Sequence, residues 1–348
     1  LLNDKAGTYG IGYAYVNRST GNDATGSVYS SQVLAEAGNP YLTIGAAGAA
    51  LKTYHNSNGV PTRNSAGGGI ILLAEGNHPF PGTVPSSDLG TTMDTWLIVK
   101  PASTATKANT KISSGSGSAI KATRLKIEGI TVSPSVSSGG GLSGRTAGDV
   151  MWLHNNTINA TTSSPIFSWR TLYGTQNSIT SFATGFSSYA AGQRAPWALV
   201  RGNTSSSHIT AQFYNILGNK GVTGANFIET GDVEVVTGGM ASSTNAIFAF
   251  NTLYNMSTAV VWSSISTTTG IAIIQNLFER VAGDAQGTMD ISAGNDNGAT
   301  TTNFILWHNT LTGGRQQFAY NSSGSVRIPK LNYSTKFNIF LDQGIKTD

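Results

Sequence analysis

Cysteine is absent from the chain, which excludes disulfide frameworks and thiolate metal sites and leaves the compartment open. Charge is scarce as well, at 11% of residues. The 21 basic and 17 acidic side chains leave a formal charge of +4. That excess is compatible with an acidic polymer as partner but falls far short of a nucleic-acid-binding signature, so none is expected. No run of about 18 apolar residues occurs, so no membrane span is expected. The second half also lacks the amphipathic runs, roughly 10–15 residues long, that a helical repeat requires. No secretory leader is visible, and the opening Leu1-Leu2-Asn3-Asp4 without Met points to a processed or trimmed start.

What the chain does contain is 42 glycines together with abundant Ser, Thr, Asn and Ala, the composition of short strands joined by many turns. Hydrophobic residues, at 39%, suffice for a thin core running along an axis. Phe304 to Leu311 reads F-I-L-W-H-N-T-L: an apolar run leads into an asparagine, and a large apolar residue follows two places later. The phrase recurs at Asn156, Asn177, Asn215, Asn251, Asn276, Asn309 and Asn338, each with Ile, Leu or Phe at the second place after it. The intervals are 21, 38, 36, 25, 33 and 29 residues, and the long step after Asn177 reads as one coil with an insertion or two coils with a degenerate copy near Asn203. Repetition at this period marks a solenoid. Short strands with loops of unequal length favour a β-helix, in which one asparagine per coil stacks on its counterparts about 4.8 Å above and below.

Along the chain, Gly12 to Asn17 alternates like a strand, and Thr20 to Gly26 is a turn cluster. The Ala-rich Gly45 to Tyr54 predicts a short helix capping the open end of the stack. Strands are expected at Gly67–Gly76, Trp96–Pro101 and Ala122–Val132, with Gly129 standing where later coils have Asn. A lateral insertion is expected between Phe182 and Arg201. One domain over residues 1–348 follows, with 1–60 as an entry segment and 61–348 as coils.

The order Y-V-N, G-N-D, N-P-Y-L-T-I and G-G-I-I-L-L-A-E-G in the opening residues, followed by the Asn repeat over 150–340, resembles right-handed parallel β-helix proteins of the pectin-lyase-like group. The resemblance implies an all-β, right-handed, single-stranded parallel β-helix with an N-terminal capping helix. It leaves function open, because this architecture hosts polysaccharide lyases, hydrolases, phage tailspikes and adhesins. A secreted protein or one on a virion surface is expected, trimeric in the tailspike case and otherwise monomeric.

Equal offsets from the repeat asparagine place residues in columns. Lys220, Arg280 and Arg315 fall at similar offsets and form a candidate cation stripe, with Tyr254 in the intervening coil. Such a stripe suits the carboxylates or sulfates of an acidic polysaccharide. β-Elimination needs a cation against the developing enolate and a base for the C5 proton; Arg280 or Arg315 fits the first role and Lys220 the second, with Tyr254 as acid or alternative base. The bland alternative is that polar turns carry solvated Lys and Arg. A hydrolase needs paired carboxylates, and Glu229 and Asp290 both lie fourteen residues after an Asn. The N-T-D, D-D, G-H-G and R-I-K motifs of polygalacturonases are absent. Asp284, Asp290 and Asp296 sketch a calcium site, though the last sits in a G-N-D-N-G turn. Trp169, Trp262 and Tyr320 are candidate sugar platforms or core, while His154 and His308 flank their asparagines.

The first expectation is therefore an extracellular lyase acting on an acidic polysaccharide. A glycan-binding tailspike, adhesin or surface module without catalysis is the alternative, and an inverting glycoside hydrolase ranks third.

Overall fold

The computed structural model describes residues 11–57, 69–80, 97–114, 124–133, 142–143, 150–159, 166–167, 171–180, 184–187, 189–190, 193–194, 197–201, 204–205, 208–210, 214–217, 220–224, 228–230, 244–256, 260–264, 268–279, 289–293, 300–314 and 330–343. Parallel strands dominate, helices are few, and the chain divides into two compact units, 1–169 and 170–348. The architecture is all-β and repetitive, compatible with a parallel solenoid.

In the first unit, Tyr13–Val16, Gly69–Leu73, Leu97–Pro101, Arg124–Glu128 and Val150–His154 form a parallel sheet. A second sheet takes Gly76–Phe80, Thr110–Ser114, Thr131–Ser133 and Thr157–Asn159. Alternation of side chains sends every second residue of the first sheet inward. Ala14, Ile71, Val99, Ile127 and Leu153 stack in one register column, and each is wholly buried. Such complete burial is worth about 1.5–3 kcal/mol for a Val, Leu or Ile.

The edge of this sheet is closed by Val28–Tyr29, which pairs antiparallel to Tyr13–Val16. A two-residue strand running the wrong way leaves little template for another chain. Two helices pack beside it. Helix α1, Gln32–Ala37, starts where the Ser31 side chain accepts the Leu34 amide at 3.3 Å, and it was not foreseen from the sequence. Its Ala35 joins Ile70, Leu72 and Ala102 in a cluster on the opposite side of the sheet from the inward column. Helix α2, Ile44–Ser57, corresponds to the expected Ala-rich helix and buries Ala47 and Leu51. At Gly69 a Cβ would stand 2.8 Å from the Leu51 side chain, so the glycine permits the close approach of helix and strand.

In the second unit, repeats contribute strands to three parallel sheets. The repeat around Phe250 illustrates the pattern: Thr244–Ala249 lies in one sheet, Thr252–Met256 in the next and Val260–Ser264 in the third. Their successors are Thr268–Ile274, Leu277–Glu279 and Met289–Ala293. Within the expected insertion, Tyr189–Ala190 and Gln193–Arg194 pair antiparallel, whereas Trp197–Arg201 pairs in parallel with Thr171–Thr175 and Tyr214–Leu217.

The corner between the first two sheets is built alike each time. The residue before the asparagine takes a left-handed conformation, at φ 52 for Asn155, 57 for Gln176, 58 for Phe250, 52 for Gln275, 56 for His308 and 54 for Phe337. Buried Asn251, Asn276 and Asn309 follow it. Asn251 donates from its side-chain amide to Asn276 Oδ1 at 3.0 Å, Asn276 to Asn309 Oδ1 at 2.9 Å, and Asn309 to Asn338 Oδ1 at 3.0 Å. The same three oxygens also accept the backbone N–H of the preceding asparagine, at 2.9 to 3.1 Å. An exposed carboxamide would gain little from such bonds; buried, each one satisfies a donor that water does not reach.

Two expected positions need correction. Gly129, at φ 65, pairs in register with the left-handed Asn155, so it occupies the place before the ladder; buried Ile130 stands at the asparagine place, its amide donating to Asn156 Oδ1 at 3.1 Å. The expected single strand is consequently two, Arg124–Glu128 and Thr131–Ser133, with a corner between them. Asn215 is not a ladder member either: it lies within Tyr214–Leu217, opposite Leu199 and Ile247 of the two neighbouring strands. The corner register falls immediately before Lys220, which pairs with Thr204 and Thr252.

Candidate functional site

The best-defined chemical cluster lies in the first unit, on the face of the first sheet that α1 partly covers. Alternation there gives L-K-I-E in Arg124–Glu128 and M-W-L-H in 151–154. The leucines, isoleucine and methionine are buried, and Lys126, Glu128, Trp152 and His154 occupy the opposite face, half-buried. Register sets Lys126 opposite Trp152 and Glu128 opposite His154. The Lys126 ammonium sits 4.4 Å from the centroid of the Trp152 ring and 2.6 Å from Glu128 Oε2. Trp152 and His154 meet edge to face, with centroids 6.0 Å apart. The lysine is thus held between an aromatic face and a carboxylate.

Helix α1 adjoins this region. Lys100, also half-buried, donates to Gln32 Oε1 at 3.1 Å, and Gln32 donates to Glu36 Oε1 at 2.8 Å. Glu36 also accepts the Ser103 amide at 2.8 Å and the Ser103 hydroxyl. Burial pushes the Glu36 carboxyl upward, but the hydrogen bonds from Ser103 and Gln32 and the charge of Lys100 outweigh it and leave the group more acidic than usual. The result is a surface of alternating cation, carboxylate, indole and imidazole, able to hydrogen-bond hydroxyls and to pack against the apolar face of a sugar.

The residues singled out from the sequence distribute differently. Lys220 stands in a column with Thr252, Leu277, Thr310 and Ile339. Arg280, Arg315 and Tyr320 lie outside the described residues, as do Trp169, Asp284 and Asp296. Tyr254 is one rung on from Lys220 and two residues along the strand, opposite Val222 and Glu279. Glu229, Val261 and Asp290 form one column in the third sheet, which sets the two acidic positions two rungs, or about 10 Å, apart. Trp262 is beside them, between Thr230 and Ile291. Among the described residues no group of three or more His, Asp or Glu gathers as a metal site would require.

Sequence reasoning missed Lys126, Glu128 and Trp152. Their signal is the same strict alternation of apolar and polar residues in two strands, which becomes informative only when the strands are known to be neighbours. The chain matches no protein-family model, no curated protein and no solved structure.

Proposed function

We propose that this chain is a right-handed, single-stranded parallel β-helix of the pectin-lyase-like kind, and that it binds a polysaccharide on its outer surface, outside the cell or on a virion. The observation that carries the reading is the Lys126–Trp152–Glu128–His154 cluster. An indole flanked by a cation, an anion and an imidazole is a common solution for saccharides, whose rings have one apolar face and a rim of hydroxyls. Affinity electrophoresis or calorimetry against alginate, pectate, glycosaminoglycans and neutral glycans tests it. Binding of one class, weakened at least tenfold by Trp152→Ala with unchanged circular dichroism, supports the proposal. Absence of binding throughout the panel, or an indifferent Trp152→Ala variant, overturns it.

A second reading is cleavage of an acidic glycan by β-elimination, and the diagonal placement of Lys220 and Tyr254 on adjacent rungs favours it. One of the pair takes the C5 proton of a uronate and the electron pair forms the C4–C5 double bond. The C4–O bond breaks, and the other residue supplies the proton to the leaving oxygen. Following ultraviolet absorbance and reducing ends together discriminates the chemistry. A rise in both that Lys220→Ala abolishes supports elimination; reducing ends alone would turn attention to the Glu229–Asp290 column.

A further inference from the structure

Two register columns cross the face of the first sheet that adjoins α1. Tyr13, Ile70, Ile98, Lys126 and Trp152 form one. Lys100 stands two residues after Ile98, as Glu128 does after Lys126, so Tyr15, Leu72, Lys100, Glu128 and His154 form the other. The early rungs are apolar: Ile70 and Leu72 are buried against Ala35 of α1, with Tyr13, Tyr15 and Ile98 packed around them. Beyond them the face is charged, and its lysines are already engaged. Lys100 donates to Gln32 at 3.1 Å, and Gln32 in turn donates to Glu36. Lys126 meets Glu128 at 2.6 Å. The members of this last pair are unequally covered. The lysine side chain is 13% exposed and the glutamate 35%, so a ligand arriving from water meets the carboxylate before the ammonium.

With the Lys126–Trp152–Glu128–His154 cluster read as a saccharide surface, we propose that Glu128 sets its ligand class and restricts it to uncharged sugars. An ammonium beside an indole would by itself attract the carboxylate of a uronic acid or the sulfate of a sulfated sugar. Glu128 already takes the charge-assisted bond of Lys126. An incoming anion would have to share the lysine with that carboxylate at close range, where like charges repel. A neutral sugar meets no such penalty. The Glu128 carboxylate accepts its hydroxyls, and the Trp152 ring packs against its apolar face.

The test is calorimetry of the full chain against two sets of glycans: xylan, a β-glucan and a galactomannan as neutral ligands, and alginate, pectate and chondroitin sulfate as acidic ones. Binding at this surface is the part that Trp152→Ala removes. Wild type is expected to bind a neutral glycan there, with a dissociation constant that changes less than about threefold between about 50 and 500 mM NaCl. Glu128→Gln releases Lys126 and is expected to raise the ratio of acidic to neutral affinity by about tenfold or more. Arg124→Gln, on the same strand but opposite Val150, should leave that ratio unchanged. Trp152-dependent binding of an acidic glycan by wild type, weakened by salt, overturns the role of Glu128 and leaves the saccharide surface standing. So does a Glu128→Gln ratio equal to that of wild type. Should this variant fold poorly, the wild-type ratio and its salt series decide alone. Silence towards every glycan, or binding that Trp152→Ala does not touch, overturns both the role of Glu128 and the surface itself.

Discussion

Asn309 Oδ1 accepts two hydrogen bonds from Asn276, one from its side-chain amide at 2.9 Å and one from its backbone N–H at 3.1 Å. Each rung therefore satisfies the preceding one twice, and both asparagines are buried. Asn276→Ala removes the oxygen that accepts both the Asn251 backbone N–H and its side-chain amide. At about 1–3 kcal/mol for a buried polar group that loses its partner, a loss of about 1–3 kcal/mol is expected, read as a lower denaturation midpoint.

Gly129 tests the corner conformation without steric complication. A Cβ there would meet only Pro101, at 3.6 Å, an ordinary contact. The cost of Gly129→Val is then chiefly that of a β-branched residue at φ 65, at least about 1–2 kcal/mol. Gly129→Asn should be nearly neutral, because Asn155 already adopts the conformation in the next rung. Equal losses for both variants in thermal denaturation would show that the corner demands glycine for some other reason.

Glu75 fastens the turn after the apolar strand Gly69–Leu73. Its carboxylate accepts the Thr106 hydroxyl at 2.9 Å, the Thr106 amide at 3.1 Å and the Asn109 side chain at 3.2 Å. Those bonds, the Thr106 side chain foremost, hold its pKa below the ordinary 4.5. A depressed folded value means that the unfolded chain takes up the proton first, so the stabilisation is complete above about 4.5 and is lost as pH falls through the folded value. Glu75→Gln keeps an acceptor and loses the titration. Its denaturation midpoint should decline less steeply than wild type below pH 4.5.

His78 is 1% exposed, and its Nε2 lies 2.8 Å from the Ala74 carbonyl, which fixes the proton on that nitrogen. Burial lowers the imidazole pKa below 6.5, the Ala74 bond acts in the opposite sense, and the charge of Arg18 adds to the lowering. Below 6.5 the unfolded chain binds a proton that the folded ring resists, so this group reduces stability as pH falls towards the folded value. Nitrogen-detected NMR should find a neutral Nε2–H tautomer at pH 6; a ring charged there would contradict the assignment.

The sequence alone determined the local pattern. The recurring Asn with Ile, Leu or Phe two places on marks the corners that carry the ladder at Asn251, Asn276, Asn309 and Asn338. The Ala-rich segment forms the helix Ile44–Ser57, and alternation located the strand Tyr13–Val16. These features rest on neighbours within a few residues, where side-chain periodicity and backbone preference act directly. Register was decided only by the tertiary structure. Asn215 carries the same phrase as the ladder residues yet sits inside a strand, Gly129 precedes the ladder place, and Lys220 falls in line with Thr252, Leu277 and Thr310. Loops of unequal length separate the strands, so residue counting loses its place at every turn, whereas hydrogen bonds between backbones restore it. The Lys126–Trp152 contact joins residues 26 apart in the chain for that reason: adjacent parallel strands bring them together, and nothing local to either strand records the other.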